Sequence, residues 1–316
     1  MRNRITPTSW GPPATRSPVA DARAPRAESP WRRFAAEFAE SRLALAGLAL
    51  LVLLAALAIA APWIAPQNPY DLAQLDFLDS RLPPDSQSAA GKTYWLGTDD
   101  QGRDMLSAIL FGLRISLTVG VASTVAALAL GLVLGLAAAY AGGWLDAAIM
   151  RIADIQLSFP AILIALVLLA MLGQGVGKII VALVTVQWAY YARTVRSAAI
   201  VERQKEYVEA ARVLALPRVR IVLRHLLPNC LPPLIVVATV QVAHAISLEA
   251  TLSFLGLGLP ITEPSLGLLI ANGFQYLLSG KYWISFYPGI ALLVTIMAIN
   301  LVADQLRDVL NPRLKR

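Results

Sequence analysis

The 316-residue chain has little of what most sites of bond chemistry need, with one cysteine, two histidines and only 15% charged residues. The single cysteine, Cys230, can build neither a disulfide framework nor a cysteine-based metal site. The histidines, His225 and His244, stand in no HExxH pattern. We therefore expect no metal site, and no histidine-based acid–base catalysis, on this chain.

A nucleotide-binding motif is also missing. Gly91-Lys92-Thr93 looks like the end of a phosphate-binding loop, but the motif needs a glycine five positions before Gly91, where Ser86 stands. Neither a GxSxG elbow nor a GxGxxG fingerprint occurs. If this protein works with ATP, we expect another chain to bind it, and no cofactor is expected here.

Long apolar runs dominate what is present, since 57% of the residues are hydrophobic. A helix needs roughly 20 mostly apolar residues to cross a bilayer. The first run is longer than the about 7–15 residues of a cleaved signal, so we expect it to be retained. The sequence predicts an all-α polytopic membrane protein with about six transmembrane helices, at residues 43–61, 115–140, 155–172, 179–191, 231–257 and 287–302.

Charge between the runs predicts their orientation. Residues 1–42 hold eight arginines against four acids, and residues 193–224 hold eight basic residues against three glutamates. Residues 63–104 instead hold seven aspartates against three basic residues. Because basic loops stay in the cytoplasm, both termini and the 193–224 loop are expected inside. The formal charge of +7 then reflects orientation in a membrane, and no nucleic acid is expected as a partner.

Composition divides the chain into four parts. Residues 1–42 are rich in Pro, Ala and Arg and poor in large apolar residues, which is typical of disorder. The predicted parts are a disordered basic segment at 1–42, a first transmembrane helix at 43–62, an extracytoplasmic segment at 63–110 and a core at 111–316.

Two features of the core concern its helices. Gly131 and Gly135 form a GxxxG pair, which lets helix backbones approach closely in lipid. We expect this pair to pack helices within the chain rather than at a dimer seam. Pro160 is expected to kink the third span or to lie at its mouth.

The loop between the fourth and fifth runs predicts two helices. Residues 201–214 have an amphipathic pattern, and Pro217 should end that helix and start another that runs to Pro228-Asn229. The predicted faces are a charged one with Glu202, Lys205, Glu206, Glu209 and Arg212, and a second one with Tyr207, Ala210, Ala211 and Leu214.

Two interpretations of this loop stay open from the pattern alone. It is either a surface helix in the lipid headgroups, stabilised by Lys205–Glu209 and Glu209–Arg212 pairs, or a knob that docks on a cytoplasmic partner. In the second case, the small side chains of Ala210 and Ala211 permit close approach.

Other charged residues are candidates for a path or gate. Glu249 interrupts an apolar run, where a charge costs about 2.5–3.5 kcal/mol; it is either path-lining or near the membrane surface. Asp99, Arg103 and Asp104 precede the second run, where they either cap a helix or form a gate or a seat for a binding protein. His244 is expected to be a packed histidine.

Ordered motifs then give a family resemblance. Glu209-Ala210-Ala211-Arg212, with His225 to Asn229 after it, resembles the cytoplasmic "EAA" loop of binding-protein-dependent ABC importer permeases. Further segments resemble the C-type permease of the peptide/nickel branch. They are residues 96–99, 102–104, 112–117, 252–258, 286–289, 300–301 and 306–314.

The resemblance implies a type I ABC importer permease fold and a division of labour. A homologous permease would complete the path, and an extracytoplasmic binding protein would deliver substrate. Two ATPase subunits, which carry ATP and Mg, would receive the coupling loop at residues 193–230, with Glu209, Ala210, Ala211, Arg212 and Ala215 as the contact set. This chain would itself be a non-catalytic, multi-pass subunit in the bacterial inner membrane.

Departures and alternatives accompany the resemblance. The family usually has glycine where Ala215 stands, so we expect the turn to pass through Pro217 rather than through a positive φ. Tyr94 stands where histidine is common. Peptides are the expected cargo, with nickel, glutathione or another small solute as alternatives. An ATPase-independent carrier or channel is the alternative of another class.

Overall fold

A computed structural model describes residues 30–71, 75–88 and 91–310 of the protein. Within them the chain is mostly helical, which confirms the predicted class. The helices are α1 (Pro30–Ala39), α2 (Arg42–Ile64), α3 (Met105–Ala141), α4 (Gly143–Ser158), α5 (Ala161–Leu172), α6 (Val176–Arg203), α7 (Glu206–Val213), α8 (Arg218–Ile221), α9 (Leu227–Phe254), α10 (Leu266–Phe274) and α11 (Trp283–Leu310). A short antiparallel hairpin pairs β1 (Ser86–Gln87) with β2 (Thr93–Tyr94).

Four helical segments of the described chain are long and apolar enough to cross a membrane: α2, α3, the run from α8 through α9, and α11. They contain the first, second and sixth predicted spans, and the fifth up to Phe254. The fourth predicted span lies in α6, whose 28 residues extend about 42 Å. Because the second half of α6 carries three arginines, this helix is not in the apolar set.

The third predicted span is not one continuous helix, and the kink expected at Pro160 is confirmed. The chain bends by 93° between α4 and α5. Phe159 takes an extended conformation (φ −94°, ψ 143°), because the ring of Pro160 disfavours helical angles at the residue before it. The pair counts as a fifth span only if both helices are taken together, since the 12 residues of α5 reach only about 18 Å.

The contact between α3 and α6 forms the centre of the fold, and two glycines make it possible. A Cβ on Gly131 would lie 2.4 Å from Cβ of Tyr191, and a Cβ on Gly135 would lie 2.5 Å from the Ala192 carbonyl oxygen. Only glycine permits this approach of two backbones. The prediction that the GxxxG pair packs helices within this chain is confirmed.

The start of the described chain differs from the predicted disordered segment at 1–42. Residues 30–39 form α1, and Phe38 is buried against Ala44 and Val302. The side chain of Gln305 also donates a hydrogen bond to the Glu37 carbonyl (3.2 Å). Contact with α11 therefore stabilises this helix, which a compositional argument cannot foresee. The rest of the prediction, for residues 1–29, lies outside the described residues.

Candidate functional site

The 193–230 loop begins differently from its pattern. In place of one helix over 201–214, α6 ends at Arg203 and α7 starts at Glu206, because Lys205 is extended (φ −80°, ψ 147°). The Lys205 ammonium pairs with Glu202 at 2.6 Å. The predicted pair of Lys205 with Glu209 is therefore wrong.

The break also changes which face of α7 is buried. Val208 is 0% exposed and Ala211 4% exposed, and both join a core cluster that includes Tyr191 and Ile221. Ala210 is exposed, so two residues that the pattern placed on the same face of the predicted helix lie in different environments. Ala211 holds α7 against the spans.

The exposed side of α7 combines charge with large apolar side chains. Glu209, Ala210 and Arg212 are exposed. Val213 is 85% and Leu214 73% exposed. We call Glu209, Ala210, Val213 and Leu214 the α7 outer face. Contiguous exposed apolar side chains of this kind mark contact surfaces. Val213 was in neither of the two predicted faces.

The turn after α7 passes through a left-handed residue. Ala215 has a φ of +53°. Its N–H donates to the Arg212 carbonyl (2.9 Å), and the Leu216 N–H donates to the Ala211 carbonyl (3.1 Å). These two bonds define a Schellman cap, whose left-handed position is usually glycine. The prediction that the turn avoids a positive φ is therefore wrong; Pro217 follows the turn and precedes α8.

The second predicted helix does not end at Pro228-Asn229. It starts at Arg218 as expected but runs through a π-helical segment, Val222–Leu226, directly into α9. Pro228 has no N–H to donate to the carbonyl four residues earlier. The helix accommodates this missing donor by changing its register, so the loop is continuous with a membrane span.

Tyr207 ties the parts of the loop together, which the pattern did not predict. Its hydroxyl donates to a Glu202 carboxylate oxygen (2.6 Å) and accepts from Nδ2 of Asn229 (3.2 Å). Burial, followed by the bond to Glu202, raises the pKa of Tyr207 to about 12. One hydroxyl thus connects α6, α7 and α9 and stays protonated at neutral pH.

A cleft beside α7 is lined by basic residues. It has a volume of ≈ 750 Å³, and Arg203, Arg212 and Arg218 contribute to its wall. Arg203 also donates to the Ala139 carbonyl (2.8 Å), which fixes the end of α6 against α3. The cleft therefore presents positive charge next to the α7 outer face.

Glu249 lies inside the chain, between α3 and α9. It is 0% exposed, and its carboxylate accepts hydrogen bonds from Ser116 of α3 (3.0 Å) and from Ser253 (2.8 Å). Its depth in the membrane stays a prediction. Its place along a path stays a prediction, and its observed role is to join α3 to α9.

Asp99 and Arg103 form a buried ion pair before α3. Both side chains are 0% exposed, and Arg103 Nε lies 2.6 Å from the Asp99 carboxylate. The same carboxylate accepts the Arg103 backbone N–H (2.9 Å), while Arg103 Nη1 donates to the Ile261 carbonyl (3.0 Å). The pair therefore holds this segment against the loop that follows α9.

Asp104 caps α3. Its side chain accepts the Ser107 N–H (2.8 Å), and its own N–H donates to the side-chain oxygen of Gln67 (2.6 Å). The capping interpretation of this residue is confirmed. A gating role for Asp99, Arg103 and Asp104 stays a prediction.

Tyr94, the other departure from the motif, is also structural. Its ring is 2% exposed, and its hydroxyl donates to Asp79 (2.8 Å). Burial, followed by this bond, raises the pKa of Tyr94. It fastens the hairpin to the preceding turn.

Comparison with known families is decisive. The model of the binding-protein-dependent transport system inner membrane component family matches residues 127–316, more than half of the 316-residue chain. The chain belongs to this permease family. A second model, the N-terminal TM domain of oligopeptide transport permease C, matches residues 29–84. The first match contains α7, its turn and Glu249.

Relatives resemble this permease along nearly the whole chain. The di/tripeptide transport system permease protein DppC of Pseudomonas aeruginosa (strain UCBPP-PA14) is 38% identical over 91% of this chain and 93% of its own. The dipeptide transport system permease protein DppC of Escherichia coli (strain K12) is 41% identical over 93% and 96%. A putative peptide transport system permease protein of Brucella suis is 40% identical over 85% and 87%.

A solved structure shows the same fold at lower identity. A chain of the MetNI methionine ABC transporter, in an inward-facing conformation, aligns with this permease at a TM-score of 0.53 and 23% identity. The alignment covers 65% of this chain and 97% of that chain. The predicted ABC importer permease fold is confirmed.

Proposed function

We propose that this protein is a permease subunit of an ATP-driven importer for di- or oligopeptides in the bacterial inner membrane. The observation that carries the proposal is the 38–41% identity to dipeptide and di/tripeptide permeases, over more than 90% of both chains. A homologous permease completes the path, two ATPase subunits supply ATP hydrolysis, and an extracytoplasmic binding protein delivers the peptide. This chain carries no catalytic site of its own.

In this proposal both termini and the 193–230 loop lie in the cytoplasm, and the Asp99–Arg103 pair lies on the outer side. The excess of arginine and lysine in residues 1–42 and 193–224 supports this orientation. The α7 outer face then points toward the ATPases, while the chain contacts lipid elsewhere.

The α7 outer face is the docking surface for an ATPase subunit. Glu209 fixes its register by charge, Ala210 permits close approach, and Val213 with Leu214 adds apolar contact. Ala211 packs α7 against the core, Ala215 forms the turn that ends the helix, and Arg212 lines the basic cleft. Motion of a docked ATPase reaches α6 and α9 through the hydroxyl of Tyr207.

The polar residues deeper in the chain act as braces of the path. Glu249 makes α3 and α9 move together, and the Asp99–Arg103 pair with Asp104 does the same for the outer end of α3. Braces of this kind let a rotation that starts at α7 open the far side of the membrane.

The test is transport by the reconstituted complex. The chain, its sister permease, both ATPases and the binding protein are placed in proteoliposomes, and uptake of a labelled dipeptide is followed with and without ATP. ATP-dependent uptake of dipeptide, above that of nickel or glutathione, is the expected result. Uptake of nickel or glutathione but not of dipeptide would contradict the proposed cargo. Uptake without the ATPases would show that the protein is a carrier rather than an ATP-driven importer.

A further inference from the structure

A polar groove opens between α6 and α9, well away from the α7 outer face. Its volume is ≈ 330 Å³, at the lower end of the about 300–1,000 Å³ typical of ligand pockets. The polar side chains on its wall are Gln187 and Tyr190 on α6 and Gln241, His244, Ser247 and Thr251 on α9. None of the residues on this wall carries a carboxylate, ammonium or guanidinium group.

The α9 side of the groove is one continuous helix face. Gln241, His244, Ser247 and Thr251 follow at spacings of three and four residues, which places them above one another. His244 and Thr251 are exposed, so the expectation that His244 is packed is wrong. Polar side chains facing hydrocarbon are unfavourable, and we conclude that this face meets a polar partner rather than lipid.

Gln187 gives the groove an unsatisfied acceptor. Its side chain is only 3% exposed, and Oε1 is buried without a hydrogen-bond partner. Buried acceptors in folded proteins nearly always have a donor. A ligand N–H at the groove would supply the missing donor.

The hydroxyls of the groove also offer acceptors. Ser247 donates its hydrogen to the Ala243 carbonyl (2.8 Å), and Thr251 donates to the Ser247 carbonyl (2.8 Å). Each hydroxyl oxygen keeps its lone pairs for another donor. With Gln187, the wall of the groove offers several neutral acceptors beside the donors of its amide, phenol and imidazole side chains, and such acceptors suit neutral N–H groups.

We propose that this groove is a specificity-determining contact of the translocation path, where Gln187, Ser247 and Thr251 accept hydrogen bonds from main-chain N–H groups of the moving peptide. The inference rests on the proposed peptide transport function. It adds the chemical feature that the path recognises, which is the amide N–H common to all peptides, and so explains how one path passes varied side chains.

The test compares Gln187→Leu with the wild type in the complete proteoliposome system, with the binding protein saturated by each substrate. The substrates are a tripeptide and the same tripeptide with both peptide nitrogens methylated. We expect the wild type to prefer the unmethylated form, and Gln187→Leu to lower its uptake about fivefold, as for loss of one hydrogen bond, and to reduce that preference. Basal ATPase activity and co-purification of the sister permease are measured alongside.

Thr185→Val is the matched control, because Thr185 lies on α6 outside the groove and its hydroxyl bonds to the Val181 carbonyl of the same helix. The control should keep wild-type uptake and preference. An unchanged preference in Gln187→Leu would overturn the inference, and lost co-purification with unchanged preference would assign the groove to subunit packing. Absence of any peptide uptake by the wild type would instead reject the proposed function, and the inference with it.

Discussion

At the scale of single residues, Ala215 shows how backbone conformation departs from sequence expectation. The residue lies at the left-handed position of a Schellman cap, where its Cβ is unfavourable. Alanine with a following proline suggests a turn that avoids positive φ, yet the two cap bonds to Ala211 and Arg212 form here. The choice is made by the end of α7, whose free carbonyls need donors, and not by the residue's own preference.

Ala215→Gly should stabilise the protein. Glycine has no Cβ, so the substitution removes the steric strain of the left-handed conformation at residue 215. The greater freedom of glycine in the unfolded chain offsets part of this gain, and the free energy of unfolding should rise by about 1 kcal/mol. Thermal unfolding in detergent measures it. The control is Ala210→Gly in the middle of α7, which should lower that free energy by about 1 kcal/mol. Equal losses in both variants would contradict the cap geometry.

Asp99→Asn should be strongly destabilising. It leaves the buried guanidinium of Arg103 without its carboxylate, at a cost of about 3–5 kcal/mol in the free energy of unfolding. Asp154→Asn is the control, because the Arg193–Asp154 pair has side chains 51% and 54% exposed and should contribute under about 1 kcal/mol. Similar small effects of both substitutions on thermal unfolding would show that the Asp99–Arg103 pair is not a brace.

At the scale of elements, local patterns predicted what depends on local composition. The apolar runs at 43–61 and 287–302 became α2 and α11, because uninterrupted apolar sequence alone selects a spanning helix. The single helix predicted over residues 201–214 was wrong, since the break at Lys205 and the contact of Val208 with the core depend on residues far away in sequence. The bend at Pro160 was anticipated in place but not in its 93° size, which packing decides.

Gly131→Ala tests the contact between α3 and α6. The added Cβ would lie 2.4 Å from Tyr191 Cβ and 2.7 Å from the Trp188 carbonyl oxygen, so overpacking should cost about 1–3 kcal/mol in the free energy of unfolding. Gly177→Ala in α6 is the control, because no atom lies within 4 Å of its Cβ position. It should be neutral or stabilising. If both substitutions have the same effect on thermal unfolding, the α3–α6 contact is looser than described.

At the scale of the whole molecule, hydrogen bonds connect α7 to the long helices. The Tyr207 hydroxyl links α7 to α6 and α9, and Glu249 links α9 to α3. Ordered motifs predicted the family. They could not predict the polar groove or the bonds of Tyr207, because these arise only when separate helices meet.

The most direct test of the account is coupling in the complete transporter carrying Glu209→Lys. Charge reversal on the α7 outer face should lower the ratio of dipeptide transported to ATP hydrolysed by roughly tenfold or more, while the protein stays in the membrane. Asp308→Lys reverses an exposed acid near the end of α11, which is not part of the α7 outer face, and should keep the wild-type ratio. A wild-type ratio in Glu209→Lys, with unchanged co-purification of the ATPases, would contradict docking through α7.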